Sequence, residues 1–229
     1  ESHKVIGFEA LVRWERPGIG LVPPLEFIGL AEETGLILPL GEWVLRRACE
    51  DALHWPGLFV AVNLSPLQFL HDDLVGTVAA ILDETGLSPQ LLELEITENV
   101  FLERTDAAMF QIDALKDIGV RIVMDDFGTG YSSLGYLQRF QFGKIKLDQS
   151  FVAGIESDEK SLEIVRTVLR LGRALGMKTT AEGVETKAQM AAWQADMGVP
   201  EGQEWELFAP DKEKAELKAF LGPVPVFAE

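Results

Sequence analysis

Two carboxylates stand side by side in "VRIVMDDFGTGYSSL", where Asp125 and Asp126 follow an apolar run and precede small residues through Ser133. Adjacent carboxylates repel, and burial makes ionising both costlier still. A chain that ends a buried strand this way needs a positive group between them or full solvation of at least one. Polar residues close other apolar runs in the same manner: Glu9 and Arg13, Asn63, Glu95 and Glu98, Lys146 and Asp148, Glu182 and Glu185. Carboxylates with one amide oxygen make a hard ligand set suited to Mg2+ or Mn2+. Asp125 could bridge two ions, with Asp126 serving the second. Paired ions can generate a hydroxide and clamp the oxygens of an in-line phosphoryl displacement. Zinc fits poorly, because His3, His54 and His71 fall in no metal-ligand cluster.

Each residue also has a plainer reading. Asp-Asp before glycine is a common solvated turn. Glu98, beside Asn99, suits a helix start better than metal ligation. Asn63 before Leu-Ser-Pro can cap a turn. Lys144 and Lys146 alternate along one strand, and only one is expected to face inward, which would leave Lys144 a solvated surface lysine. Weighed jointly, six strand ends sharing one chemistry outweigh six separate accidents.

The elements that must position these residues follow from periodicity. Strands are expected at Val5–Val12, Phe59–Leu64, Leu92–Ile96, Val120–Met124, Lys144–Leu147 and Lys178–Ala181, with a weaker one at Trp205–Phe208. Helices are expected at Pro24–Glu33, Leu40–Trp55, Asp72–Thr85, Thr105–Ile118, Glu159–Leu175, Thr186–Met197 and Lys212–Leu221. Glycine closes several helices, twice in the phrase Glu-Thr-Gly-Leu. Alternating strands and helices imply parallel strands with right-handed crossovers. About seven strands suggest an α/β chain of the (β/α)8 barrel type, short by one strand. A doubly wound open sheet is the alternative, weakened because no glycine-rich phosphate fingerprint follows the first strand.

At 229 residues the chain forms one domain over 1–229, with no linker or low-complexity segment dividing it. A net charge of −17 argues against a nucleic-acid polymer as partner. A small phosphate ligand remains compatible where ions supply positive charge. No apolar run is long enough to span a bilayer. Cys49, the single cysteine, lies in an apolar-periodic stretch and reads as an inert core thiol, in keeping with a cytoplasmic location.

Over nearly its whole length the chain resembles the EAL family of cyclic di-GMP phosphodiesterases. The likeness rests on "EALVRW", "FIGLAEETGLI", "VAVNLSPLQF", "LELEITE", "MDDFGTGYSSLGYL", "IKLDQSFV" and "AEGVET". It implies a modified TIM-type barrel whose first strand is antiparallel, and hydrolysis of cyclic di-GMP to linear pGpG with Mg2+ or Mn2+; Ca2+, larger and less demanding in geometry, is expected to be inhibitory. By motif, Glu9, Asn63, Glu95 and Asp125 would hold one ion, and Asp125, Asp126 and Glu182 the second. The catalytic residues implied are Lys146, Glu182 and Glu9. Lys146 would position or deprotonate the attacking water, with a pKa lowered by metals and burial. Arg13 would contact phosphate, and Leu11, Gln68, Asp148, Glu185 and Gln203 the rest of the substrate. Glu98 would anchor the loop after Asp126, which would also serve a homodimer.

Two departures stand out. The family's Tyr-Gln-Pro strand would precede residue 1, so the antiparallel strand is expected to be missing. The chain is then expected to be a fragment of a longer protein with a diguanylate-cyclase-like or sensory domain. Near the other end, "GQEWELFAP" has Glu204 and Glu206 where the family has glycine and an apolar residue. The alternative function is a catalytically silent cyclic di-GMP receptor. An unrelated two-metal barrel enzyme is a third reading.

Overall fold

The structure is a computed structural model that describes residues 5–71, 73–100, 105–128, 137, 139–140, 142–155, 157–184, 186 and 189. Six strands form one sheet: β1 (Gly7–Ala10), β4 (Phe59–Asn63), β5 (Leu92–Thr97), β6 (Arg121–Phe127), β7 (Lys144–Leu147) and β8 (Lys178–Ala181). They pair in that order, and every pairing is parallel. A separate antiparallel hairpin, β2 (Trp14–Arg16) with β3 (Gly20–Val22), follows β1 and was not anticipated from sequence.

Helices fill the crossovers: α1 (Pro24–Thr34), α2 (Ile37–Ala52), the short α3 (Pro66–Phe69), α4 (Leu74–Thr85), α5 (Thr105–Ile118), the short α6 (Gln149–Ala153) and α7 (Glu159–Ala174). Among the described residues the six main strands and five longer helices match the expected elements, with ends shifted by a few residues. The expected strand at Trp205–Phe208 and helix at Lys212–Leu221 lie outside the described residues, as does nearly all of Thr186–Met197. The repeated Glu-Thr-Gly-Leu phrase ends α1 and α4. Gly35 and Gly86 take φ of 76° and 74°, the left-handed conformation that L side chains resist.

Side chains alternate across each strand with period two. On the outer face, Val60, Val62, Leu92, Leu94, Ile96, Ile122, Met124, Ile145 and Leu147 join one buried cluster with Ala48, Cys49, Ile81, Ile112, Leu115 and Val165 of the helices. Cys49 is fully buried, and burial pushes its thiol up to about 12, as an inert core thiol requires. The inner face carries the polar residues. Laid flat, β1 and β7 would stand about 19 Å apart. The charge of Glu9 on β1 nevertheless acts on Lys146 of β7, so the sheet curls into a barrel wall.

Helix α7 begins at Asp158, whose side chain accepts from the backbone N–H groups of Lys160 and Ser161. These bonds hold its carboxyl below the usual range, the Ser161 hydroxyl contributing most. A depressed folded pKa adds stability that is present above the unfolded pKa and lost as pH falls through the folded one. Asp158→Ala should therefore lower Tm by about 2–4 °C at pH 7. The difference from wild type should shrink toward pH 3 in thermal melts followed by circular dichroism.

Candidate active site

The strand register sets the site. Glu9 pairs across from Ala61, Asn63 from Glu95, Thr97 from Asp125, and Lys146 from Thr180. Residues at the carboxyl ends of the strands thus meet at one mouth. Asn63 Nδ2 donates to Glu9 Oε1 at 2.8 Å, joining β1 to β4. Glu95 is 1% exposed and Asp125 7%, while Asp126, Glu9 and Glu182 are half-buried. Glu182 follows β8, fixed by its N–H donating to the Leu147 carbonyl at 3.0 Å.

Lys146 supplies the positive group that the adjacent carboxylates demand. Its ammonium is 1% exposed and lies 2.7 Å from Glu182 Oε1, 2.9 Å from Glu95 Oε2 and 3.3 Å from Asp125 Oδ1. One cation thereby ties β5, β6 and β7 to the residue after β8. Burial by itself lowers the affinity of such an ammonium for its proton. The carboxylates of Glu95, Glu9, Asp125 and Glu182 outweigh it and hold Lys146 above its ordinary value. The expected lowering of Lys146 is therefore not met by these side chains alone. Glu95 and Glu182 are shifted upward, each first by burial and then by neighbouring acids, with Lys146 opposing.

Asp126 solves the problem of two consecutive acids on one strand. Strand alternation should send it to the face opposite Asp125. Instead the β6–β7 register shifts between Met124 and Phe127, and Asp126 takes φ of 52°. Among the described residues it is the one non-glycine with positive φ. That combination of bulge and left-handed backbone turns both carboxylates toward the mouth. Burial, then Asp125 and Asp148, raise the carboxyl of Asp126. Asp125, Asp126 and Glu182 each offer an oxygen within 4.8 Å of the others. These oxygen donors suit a hard divalent ion.

The other predicted residues fall as follows. Glu98 Oε1 accepts from the Gly128 N–H at 3.1 Å, tethering the start of the loop after Asp126. Leu11 and Arg13 follow β1, both half-buried, with Arg13 Nη1 donating to the Val12 carbonyl. Asp148 caps α6, its carboxylate accepting from the Ser150 N–H at 2.9 Å. Gln68 is buried and closes a reciprocal cap with Ser65, and its side chain sits where a Cβ on Gly41 would be. Glu185, Gln203 and the loop from Thr129 to Ser133 lie outside the described residues.

One expectation is corrected. Lys144 is no surface lysine: it is 5% exposed and ion-paired to Glu93. Residues two apart on a strand share a face, so Lys144 and Lys146 both point inward. The alternations Glu93-Leu-Glu95 and Lys144-Ile-Lys146 carried that signal; Glu93 and Lys144 were the interior charges missed, with the exposed Arg121 paired to Glu93 at the edge of the same layer.

The EAL domain family profile matches residues 1–205. The chain belongs to the EAL domain family. It is 54% identical over 188 residues to an uncharacterized signaling protein of Caulobacter vibrioides, covering 82% of this chain and 23% of that protein. It is 45% identical over 190 residues to the bifunctional diguanylate cyclase/cyclic di-GMP phosphodiesterase MucR of Pseudomonas aeruginosa, covering 81% of this chain and 28% of MucR. This EAL chain thus spans roughly a quarter of the length of these relatives. Among solved structures it resembles the PaMucR phosphodiesterase in its c-di-GMP complex, with TM-score 0.79 and 44% identity over 83% of this chain and 79% of that one. It also resembles the EAL enzyme Bd1971 bound to cAMP and cyclic-di-GMP, with TM-score 0.80 and 29% identity over 93% of this chain and 59% of that one. Its EAL neighbours share the TIM-barrel-like architecture expected from sequence.

Asp126→Asn keeps a side chain that tolerates positive φ and removes one of the crowded charges. Its Tm without metal should equal or exceed that of wild type, while the stabilisation given by Mn2+ should largely vanish. A scanning-fluorimetry titration with Mn2+ checks both. A large loss of Tm in the metal-free variant would show that the Asp126 charge supports the fold.

Proposed function

We propose that this domain hydrolyses one phosphodiester of cyclic di-GMP to linear pGpG with Mg2+ or Mn2+. One observation carries the reading: Asp125, Asp126 and Glu182 converge within 4.8 Å beside the buried Lys146 in an EAL-family chain. Glu9, Asn63, Glu95 and Asp125 would hold one ion, and Asp125, Asp126 and Glu182 the other. Bound there, two divalent ions supply Lewis-acid charge and an acidified water.

The chain's own residues do the rest. The Lys146 ammonium lies between the two groups of ligands and orients the attacking water by donating to it. It can take the water's proton only to the extent that charge on the neighbouring oxygens is neutralised, since those carboxylates hold its proton firmly. Glu9 and Glu182 act through the ions they hold. The Arg13 guanidinium matches a phosphate in geometry and charge. Leu11, Gln68, Asp148, Glu185 and Gln203 are assigned to the guanines and riboses. For Gln68 that contact competes with the cap it makes to Ser65. Glu98 holds the catalytic loop, which is proposed to lie at a homodimer contact, and a diguanylate-cyclase-like or sensory domain is proposed in the whole protein.

Incubation with cyclic di-GMP and Mn2+, followed by chromatography, should yield pGpG. Glu95→Ala should abolish turnover even at saturating Mn2+. Lys146→Ala should slow the chemical step by roughly 10²-fold or more while leaving substrate affinity within about tenfold. Ca2+, larger and less strict in geometry, should support binding with little hydrolysis. Binding without product would make the domain a cyclic di-GMP receptor, and absence of binding would remove both readings.

A further inference from the structure

Beneath the carboxylate layer lies a second charged layer that the proposed chemistry does not use. Glu93, Arg121 and Lys144 belong to β5, β6 and β7, the strands that carry Glu95, Asp125 and Lys146. Glu93 and Lys144 precede Glu95 and Lys146 by two residues, about 6.6 Å along each strand and on the same face. Glu93 is 1% exposed. Its Oε1 accepts from Arg121 Nη1 at 2.9 Å, and its Oε2 from Lys144 Nζ. Glu93 and Arg121 are register partners, and the Lys144 ammonium lies 4.6 Å from the centre of the Phe59 ring.

The two layers differ in charge. Among the described residues the upper one sets Glu9, Glu95, Asp125, Asp126 and Glu182 against the ammonium of Lys146, so its acids push their strands apart. Among the described residues the lower one sets Arg121 and Lys144 against the Glu93 carboxylate and pulls the same three strands together. With Glu93 as its one acid among the described residues, it offers no ligand set for a divalent ion. We infer that the Glu93–Arg121–Lys144 triad is a positioning device: it fixes the spacing of β5, β6 and β7 and so the distances among the oxygens that receive the ions. This rests on the metal-binding reading above.

A buried ion pair replaced by well-packed apolar residues often keeps its stability, whereas breaking one partner does not. That separates positioning from mere folding. Mn2+ affinity, measured by calorimetry without substrate, and Tm are read together for wild type, K144M, K144R and the double variant E93M/K144M. K144M should lose both Tm and affinity, and K144R should recover affinity. E93M/K144M should regain most of the lost Tm, yet bind Mn2+ about tenfold or more weakly, the loss expected when an outer support of a metal site is removed. Recovery of affinity along with Tm in the double variant, or wild-type affinity in K144M, overturns the inference. Should the double variant not fold, E93D carries the test: the shortened carboxylate keeps its charge, and unchanged Mn2+ affinity would overturn the inference equally. A wild type that binds no Mn2+ would instead bring down the metal reading itself, and the positioning role with it.

Discussion

A buried ammonium among carboxylates is the contact on which the site depends. Lys146 touches oxygens of Glu95, Asp125 and Glu182, residues that no sequence segment brings near one another. Without a cation there, burial and mutual repulsion would drive the acids to take up protons or move apart. With it, strands separated by long crossovers share one charge balance. The same ammonium offers a divalent ion direct competition for those oxygens. A site assembled this way is held together by a group that would have to yield to the proposed ions, so its geometry would need support from elsewhere in the barrel.

That support comes from backbone as well as charge. The bulge after Met124 and the left-handed Asp126 abandon ladder regularity at one point, and adjacent acids gain a common direction. Positive φ in a residue other than glycine is locally unfavourable, and so is a second carboxylate beside a first. Both penalties fall on the residue to which the proposed chemistry assigns an ion, as expected where function and stability pull apart. Rigid strands on either side, packed outward on the helices, allow the barrel to carry that local strain.

Much of this was legible in the sequence because the signals are local. Period-two runs placed the strands, glycine placed the ends of α1 and α4, and polar residues after apolar runs placed Glu9, Asn63, Glu95, Asp125 and Lys146 at one mouth. What escaped was local too, or depended on curvature. The β2–β3 hairpin joins strands of three residues each, shorter than any periodicity can register. The reciprocal cap of Ser65 and Gln68 was legible in Ser-Pro-Leu-Gln but was passed over when Gln68 was given to the substrate. The turn of Asp126 toward Asp125 needs a bulge that no propensity announces. Lys144 was placed on the wrong face although alternation itself puts it beside Lys146.

The interior of the barrel, read from its floor to its mouth, then forms a gradient of charge rather than an apolar plug. Parallel barrels ordinarily fill that space with layers of branched apolar side chains. Here Phe59, Ala61 and Val123 supply apolar atoms, but Glu93, Lys144, Glu95 and Lys146 are all buried inside. Each buried charge has an opposite partner, which is the condition under which burial is tolerated. Near the floor Arg121 and Lys144 share the Glu93 carboxylate, so among the described residues that layer has no excess of acid to offer a divalent ion. Toward the mouth the described acids outnumber Lys146, and the shortfall of positive charge is what a divalent ion would supply. On the proposed reading that imbalance would set where an ion binds, and the cation-rich layer below would give it a fixed frame to bind in.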